Sequence, residues 1–402
     1  MALLTPTSSL PILVLNKGRE RSLVNRHPWV FSGAVGKRPA GAVGGDVVQV
    51  VSAEGQWLAL GFYSPESQIT VRCFEFDRPD ADPTQGPYWR TKLDRALALR
   101  TRLNLAAQAT TCQRLLHAEG DEMPGFIADA YGDTVVLQVL TVGAERVLPH
   151  LEEGLRAAGY RYIYLKIKEN SAWLEHVSLK AGWLGEEGAA EVEVQEHGMR
   201  FLVNVVEGQK TGFFLDQRDA RALLQTYAQG AKVLNTFSYT GGFSLAALAG
   251  GATQAISVDI SKAAVEQAHR NAALNGWGDD RHQAVAADCF DYFRQAPDDL
   301  DIIVLDPPAF AKKESALKNA TRGYKELNLK ALKRLKPGGL LFTFSCSQAV
   351  SRDLFRKIVF GAAADARRHV RILHQTTQPP DHPISIYHPE GEYLKGLVLE
   401  VE

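Results

Sequence analysis

Cysteine and methionine are scarce in this sequence, and no long uninterrupted apolar segment occurs in it. The 402 residues include four cysteines and no CxxC pair, which argues against both a disulfide framework and a thiolate zinc site. We therefore expect no bound metal. No run of about 18 apolar residues is found, and Met1 to Leu15 lacks a basic leader ahead of an apolar stretch. The sequence predicts a cytoplasmic protein that does not span a membrane.

An excess of charge of one sign is also missing, since 45 basic residues stand against 46 acidic ones. The chain as a whole therefore lacks the strongly basic field of a dedicated nucleic-acid binder. Basic residues are nevertheless concentrated locally. From residue 17 to residue 38 the only acid is Glu20, and Trp29 and Phe31 lie among six basic residues: Lys17, Arg19, Arg21, Arg26, Lys37 and Arg38. This stripe is either a solvated face or a surface for nucleic acid.

Length and pattern divide the chain into three predicted domains. A composition of 45% hydrophobic and 23% charged residues excludes wholesale disorder. Residues 11 to 76 alternate apolar and polar residues in short runs between glycines, which predicts a small β-rich module within residues 1–80. Asp77 to Pro87 is rich in Pro, Asp and Gly and marks a boundary. A mixed α+β block is predicted over 84–190, and a hairpin turning at His197-Gly198 opens a third domain, 191–402.

From about residue 230 short apolar strands alternate with helical stretches. Helices are predicted at Ser261 to Asn275 and at Gly323 to Leu335, the second closed by Lys336-Pro337-Gly338-Gly339. This alternation predicts an α/β fold with a doubly wound parallel sheet, in which ligands bind beyond the carboxyl ends of the strands. The predicted strands are Lys232 to Thr236, Ala255 to Asp259, His282 to Ala286, Ile302 to Leu305 and Leu340 to Phe344.

The segments that follow these strands carry residues suited to a nucleotide-like ligand. Paired glycines, Gly241-Gly242, lead from the first strand into an apolar helix and let backbone amides approach a ligand. Asp259 ends the second strand, where a carboxylate can accept both ribose hydroxyls. A plain strand-turn-helix connection and a helix cap are the alternative explanations. The later strands end in Asp288-Cys289-Phe290, in the stiff turn Asp306-Pro307-Pro308, and in Ser345-Cys346-Ser347.

Together these segments resemble one family. The chain is similar to the class I S-adenosylmethionine-dependent methyltransferases, and specifically to the bacterial 23S ribosomal RNA cytosine-5 methyltransferases of the RlmI type. The resemblance covers nearly the whole chain, although Ala309 stands where the family often has Lys. It is carried by Gly208-Gln209-Lys210-Thr211-Gly212-Phe213-Phe214-Leu215-Asp216-Gln217-Arg218, Phe237-Ser238-Tyr239-Thr240-Gly241-Gly242-Phe243-Ser244, Leu305-Asp306-Pro307-Pro308-Ala309-Phe310, Ser345-Cys346-Ser347, Asp381-His382-Pro383 and Glu390-Gly391-Glu392-Tyr393-Leu394-Lys395-Gly396.

The resemblance implies a Rossmann-like methyltransferase domain, an N-terminal PUA-like RNA-binding β-barrel and S-adenosyl-L-methionine as the cofactor. With the strand-end positions it assigns the cofactor to Phe213, Asp216, Arg218, Asn235, Phe237, Tyr239, Thr240, Gly241, Gly242, Asp259, Ile260, Asp288, Cys289, Phe290, Asp306 and Pro307. The implied partner is 23S ribosomal RNA, naked or in early assembly intermediates, because an unstacked target base is cheapest to reach there. The candidate RNA-binding residues are Lys17, Arg19, Arg21, Arg26, Trp29, Lys312, Lys313, Arg322 and Lys325.

The predicted catalytic residues are Cys346 and Asp306. Carbon 5 of cytosine is a poor nucleophile, so its methylation requires a thiolate to add first at carbon 6; the resemblance assigns that role to Cys346. Asp306 would hydrogen-bond or protonate the ring at N3, and the lysine-rich segment 312–325, expected to be a loop, is a candidate for the positive potential that favours a thiolate. A small buried hydrophobe is the alternative role for Cys346.

Two other functions stay open at this point. An Asp-Pro-Pro turn also suits a methyltransferase acting on guanine N2 or N7, which needs no thiol. A non-catalytic RNA-binding assembly factor that has kept the fold is the second alternative, although the loop, the acids and the thiol all occur together. A homodimer is neither required nor excluded by the sequence.

Overall fold

The computed structural model describes residues 10–167, 177–311 and 314–402. Two compact units emerge from the packing of the chain. The first comprises Met1–Val192, Val203–Phe213 and Pro380–Gly391, and the second comprises Glu193–Leu202, Phe214–Pro379 and Glu392–Glu402. Strands are numbered β1 to β20 in chain order.

A six-stranded sheet in the order β2-β6-β5-β4-β1-β3 opens the first unit. Its inward residues, including Leu13, Val48 and Val71, are fully buried, as the alternating pattern of residues 11 to 76 predicts. The helix Arg21–Val24 lies between the first two strands. The strands are β1 Ile12–Leu15, β2 Trp29–Phe31, β3 Val35–Lys37, β4 Val47–Val51, β5 Trp57–Tyr63 and β6 Ile69–Glu75.

The first unit continues with a five-stranded sheet in the order β11-β10-β9-β8-β7. The helices Gly86–Leu103 and Val142–Ala157 bury apolar residues such as Leu93 and Leu151, and the mixed α+β pattern predicted here is confirmed. The strands are β7 Cys112–His117, β8 Phe126–Tyr131, β9 Thr134–Val139, β10 Tyr162–Leu165 and β11 Gly182–Trp183.

A two-stranded sheet pairs β12, Glu191–Glu196, with β13, Met199–Asn204. The predicted turn at His197-Gly198 is confirmed, and both residues have positive φ, 49° and 79°. This backbone geometry matches the tight turns that join antiparallel strands.

The second unit contains a seven-stranded sheet in the order β16-β15-β14-β17-β18-β20-β19. The first five strands in this order are parallel, and β20 is antiparallel to both of its neighbours. The predicted doubly wound α/β class is therefore confirmed. The strands are β14 Lys232–Thr236, β15 Gln254–Asp259, β16 His282–Ala286, β17 Leu300–Leu305, β18 Leu335–Ser345, β19 Val370–Thr376 and β20 Lys395–Val401.

Helices pack on this sheet and set where the connections run. Two predicted bounds were wrong. Lys336 to Gly339, expected to close a helix, lie inside β18, which begins at Leu335 and not at Leu340. The helix expected to begin at Gly323 already begins at Leu317. Its buried face extends back to Ala320 at helical spacing from Tyr324 and Leu327, which stabilises the extra turns. Residues Arg322 and Lys325 are therefore helical and do not belong to a loop. The helices of this unit are Arg218–Tyr227, Gly242–Ala249, Lys262–Leu274, Cys289–Tyr292, Leu317–Arg334 and Arg352–Ala366.

No helix within the described residues is both long enough and apolar enough to cross a bilayer. Across the same residues, no group of three or more His, Cys, Asp or Glu side chains is arranged to hold a metal ion.

Candidate active site

The carboxyl ends of the central parallel strands meet at one edge of the seven-stranded sheet. Thr236 of β14 is level with Val258 of β15 and with Leu305 of β17, and Leu305 is level with Thr343 of β18. The segments that follow these four strands are therefore neighbours. This register brings the predicted glycine turn, Asp259, the Asp-Pro turn and Cys346 to the same edge of one domain.

The turn after β14 has an unusual backbone. Phe237 and Tyr239 have φ of 54° and 47°, and Gly241 has φ of 84°. For the two non-glycine residues this conformation costs about 1–2 kcal/mol each. Backbone outliers of this kind occur at functional sites, where surrounding contacts hold them.

Asp259 supplies one of those contacts. Its Oδ2 accepts the amide of Tyr239 at 2.9 Å, and its Oδ1 accepts the amide of Ser261 at 2.9 Å. The helix that follows is capped by the Ser261 hydroxyl, which accepts the amide of Ala264 at 3.3 Å. Asp259 therefore holds the turn, and each carboxylate oxygen keeps capacity for a further donor such as a ribose hydroxyl. Ile260, next to it, is 74% exposed.

Three buried polar atoms at this edge have no hydrogen-bond partner among residues 10–167, 177–311 and 314–402: Asn235 Oδ1, Ser238 Oγ and Gln217 Oε1. The other atom of each amide is occupied, because Asn235 Nδ2 donates to Ser244 Oγ at 3.1 Å and Gln217 Nε2 donates to Asp306 Oδ1 at 3.0 Å. Buried polar groups are nearly always paired. Ser238 lies in the strained turn, Asn235 lies just before it, and Gln217 contacts Asp306 after β17, so these atoms fit a bound polar ligand.

Cys289 makes two hydrogen bonds to the backbone at the ends of β14 and β15. Its sulfur accepts the amide of Phe237 at 3.2 Å and donates to the carbonyl of Val258 at 3.5 Å. Burial raises the pKa of this thiol to about 12, so it stays protonated. Asp288 caps the short helix after β16 through the amide of Asp291, at 3.1 Å, and its side chain is exposed.

The aromatic ring of Phe290 lies beside the glycine turn. Its centroid is 6.4 Å from that of Phe237 and 6.4 Å from that of Phe310. These rings form an apolar wall between the end of β14 and the segment after β17. Such a wall suits the face of a planar base.

Cys346 and the Asp306-Pro307 turn lie together. The sulfur of Cys346 is 3.9 Å from the carbonyl oxygen of Pro307, and Pro307 is buried while Asp306 is half-buried. Cys346 is half-buried, whereas Cys73, Cys112 and Cys289 are buried. Cys346 is therefore the cysteine best placed to meet a ligand.

The remaining candidate cofactor residues precede β14. Asp216 is 5% exposed and accepts the hydroxyl of Tyr393 at 2.7 Å. Arg218 is 1% exposed and lies 3.8 Å from Asp219. Phe213 belongs to the first unit, where its amide donates to the Tyr131 hydroxyl at 3.2 Å.

In the first unit, the candidate RNA-binding residues fall into two groups. Lys17, Arg19 and Arg21 are exposed. Arg26 forms an ion pair with Asp77. Trp29 is also engaged, because its indole donates to Glu119 at 2.7 Å and its ring centroid lies 4.4 Å from that of His388.

The structure describes residues 314–325 of the lysine-rich segment. Lys312 and Lys313 lie outside the described residues. Lys325 forms an ion pair with Asp365 at 2.8 Å, while Arg322 is exposed.

Sequence reasoning missed Lys395, which is 4% exposed and donates to the Ser347 carbonyl at 2.8 Å. Burial lowers the pKa of its ammonium group from 10.5 to about 8, and the charge of a Cys346 thiolate opposes that shift. It also missed Tyr324, whose hydroxyl lies 3.0 Å from Ser345 Oγ and 2.9 Å from Ser347 Oγ. A lysine opening strand β20 ahead of the apolar residues Leu397 to Leu399 was the available signal.

Comparison with known proteins decides the family. A model of S-adenosylmethionine-dependent methyltransferases matches residues 174–389, and a PUA-like domain matches residues 13–76. The ribosomal RNA large subunit methyltransferase I of Shewanella denitrificans is 44% identical over 397 residues, covering 96% of this chain and 98% of that protein. This chain belongs to the ribosomal RNA large subunit methyltransferase I family. S-Adenosylmethionine is accordingly its cofactor, and the family resemblance in the sequence is confirmed.

Further relatives agree with this assignment. The protein of the same name from Klebsiella pneumoniae is 40% identical, covering 98% of this chain and 99% of its own length. A solved structure described as a candidate methyltransferase complexed with SAH is 25% identical, with a TM-score of 0.83 and coverage of 97% of this chain and 100% of that one. A candidate SAM-dependent methyltransferase from Streptococcus mutans, 24% identical with a TM-score of 0.82 over 97% of this chain and 100% of that one, shares the fold.

Proposed function

We propose that this protein methylates carbon 5 of a cytosine in 23S ribosomal RNA, with Cys346 as a transient nucleophile at carbon 6. The relatives named ribosomal RNA large subunit methyltransferase I support the RNA substrate. The observation that carries the carbon 5 chemistry is the half-buried thiol of Cys346, 3.9 Å from the Pro307 carbonyl at the strand-end edge.

The residues at this edge fit the cofactor. Asn235, Ser238 and Gln217 offer buried oxygens that lack partners in the described ranges, and Asp259 holds the turn while keeping acceptor capacity for ribose hydroxyls. Phe237 and Phe290 give an apolar wall for the adenine ring. When bound, S-adenosylmethionine supplies an electrophilic methyl group on its sulfonium.

The proposed role of Cys346 is to make carbon 5 nucleophilic. Its thiolate forms a bond to carbon 6, and the electron pair of the 5,6 double bond becomes available at carbon 5, which takes up the methyl group. A base then removes the proton from carbon 5. The electron pair of that C–H bond restores the double bond as the sulfur–carbon bond breaks, and the thiolate is regenerated.

Asp306 is proposed to hold the polar edge of the pyrimidine at N3. Gln217 donates to its Oδ1 at 3.0 Å, which fixes the orientation of the carboxyl group. Two consecutive prolines after Asp306 restrict the backbone. This rigidity keeps the carboxyl group in place while charge develops on the ring.

The proposed RNA-binding residues are the exposed Lys17, Arg19 and Arg21 in the PUA-like region and, separately, the exposed Arg322 in the methyltransferase domain. Lysine and arginine contacts to phosphates give affinity without sequence selection. Because the target base must leave its stack to reach the thiol, we expect naked rRNA to be a better substrate than the assembled subunit. The domain boundaries 1–80, 84–190 and 191–402, the cytoplasmic location and a homodimer stay predictions.

The test compares the wild type with Cys346→Ala on naked 23S rRNA. We expect the variant to lose 5-methylcytosine formation and to form no covalent complex with RNA that contains 5-fluorocytosine, while still binding S-adenosylmethionine in calorimetry. Cys73→Ala, at a buried thiol of the first unit, is the matched control and should keep both reactions. Nucleoside mass spectrometry identifies the product.

Full turnover by Cys346→Ala would eliminate the cytosine-5 mechanism. A methylated guanine in the nucleoside analysis would then favour the exocyclic-amine or N7 alternative. Failure of the wild type to bind S-adenosylmethionine would favour the non-catalytic assembly factor. Equal initial rates on naked rRNA and on assembled large subunits would contradict the substrate preference.

A further inference from the structure

Lys395 is connected to the residue on each side of Cys346, the proposed nucleophile. In the β18–β20 pairing, Lys395 is directly opposite Ser345. Its Nζ donates to the carbonyl of Ser347 at 2.8 Å. The backbone of Lys395 is thus paired with the residue before Cys346, and its ammonium group is anchored on the residue after it.

Tyr324 holds the side chains of the same two residues, Ser345 and Ser347. The hydroxyl of Tyr324, on the helix Leu317–Arg334, is 3.0 Å from Ser345 Oγ and 2.9 Å from Ser347 Oγ. Tyr324 is fully buried, and burial is the main reason that the pKa of its phenol is raised. Tyr324 therefore stays neutral and fixes the backbone around the thiol without supplying charge.

Among the described residues, two charged side chains act on Lys395 besides Cys346. Glu392, which precedes it in the chain, and Arg352, on the helix Arg352–Ala366, interact with it electrostatically and form an ion pair with each other. The remaining charge that acts on Lys395 is that of a Cys346 thiolate, which raises the pKa of the lysine against the larger effect of burial. By reciprocity, the ammonium group stabilises the charged form of the thiol.

We propose that Lys395 is a positioning residue whose ammonium group holds Cys346 as the thiolate that adds to carbon 6. This inference rests on the proposed function, since the thiolate is the form that the reaction requires. The thiol loses its proton to solvent before the base enters, and Lys395 itself forms and breaks no covalent bond. The role belongs to this buried lysine and not to the lysine-rich segment considered from the sequence.

The experiment measures the alkylation rate of Cys346 by iodoacetamide against pH in the full-length protein, with the modified peptide identified by mass spectrometry. In the wild type we expect a thiol pKa below the ordinary value of about 8.5. In Lys395→Met the alkylation rate at pH 7 should fall about tenfold, which corresponds to a pKa rise of about one unit. Lys395→Arg keeps the charge and should restore most of the rate.

Turnover provides the second readout. Lys395→Met should lower kcat and move the rising limb of its pH profile upward, while KM for rRNA changes little, because Lys395 is buried. Lys336→Met is the matched control. Lys336 lies at the opposite end of β18 and is paired with Asp301 at 3.1 Å, so this variant should leave both the alkylation rate and kcat unchanged.

An unchanged thiol pKa in a folded Lys395→Met variant would overturn the inference. If that variant fails to fold, the titration of the wild type still tests the inference. A Cys346 pKa at or above the ordinary value would contradict a thiolate stabilised by Lys395. Failure of the proposed function would look different. The wild type would make no 5-methylcytosine, but its alkylation rate would still depend on Lys395 as expected. That result would support the interaction between the lysine and the thiol while ruling out the proposed reaction.

Discussion

Replacing Asp259 by alanine should weaken cofactor binding through the turn after β14. The substitution removes the acceptor that holds the amide of Tyr239, at 2.9 Å, in a backbone conformation with φ of 47°. A hydrogen bond to a charged group contributes about 2 kcal/mol, and its loss corresponds to about 30-fold in affinity. The proposed hydrogen bonds to the ribose would be lost in addition.

Calorimetric titration with S-adenosylmethionine, together with thermal unfolding without ligand, separates weaker binding from general instability. Asp299→Ala is the matched control, since this exposed carboxylate pairs with Lys232 at 2.8 Å at the amino end of the sheet. Its affinity should match that of the wild type. An Asp259→Ala variant that is folded and binds within about threefold of the wild type would refute the role given to this carboxylate.

Two further predictions concern pH and salt. Burial lowers the pKa of His282 from 6.5 to about 4. Between these pH values the imidazole is protonated in the unfolded chain but not in the folded protein. The free energy of unfolding should therefore fall by up to about 3 kcal/mol as pH drops from 6.5 to 4. In urea denaturation, His282→Gln should lose this pH dependence of the free energy of unfolding, whereas His369→Gln, at an exposed histidine, should keep it. The same pH dependence in the wild type and both variants would contradict the role given to His282. Replacing the exposed Lys17, Arg19 and Arg21 together by alanine should weaken rRNA binding and reduce the salt dependence, d log K/d log[salt], by about 2. An unchanged salt dependence in filter binding would place the RNA elsewhere.

The sheet of the methyltransferase domain was predictable because each strand is a short apolar run followed by a helix. The predicted bounds of β14 and β16 coincide with those observed, and β15 begins one residue earlier than predicted. The start of the helix Leu317–Arg334 was missed, since its first turns are rich in polar residues and only Ala320 signals the buried face.

At the candidate site, the sequence identified residues by their place after a strand but not by their contacts. Cys346 and Asp306 were singled out in this way, and the structure brings Cys346 to the Pro307 carbonyl. Lys395 could not be placed, because its proximity to Cys346 depends on the pairing of β18 with β20, about 50 residues apart in sequence. The engagement of Trp29 by Glu119 likewise joins residues that are distant in the chain.

The position of β20 between β18 and β19 has a consequence for biosynthesis. Until residues 395–401 have left the ribosome, β18 presents an open flank of unpaired amides and carbonyls, a template for wrong partners. The strand that leads to Cys346 is thus completed late. A nascent chain stalled before β20 would carry every predicted cofactor residue and still lack the ammonium group beside its thiol.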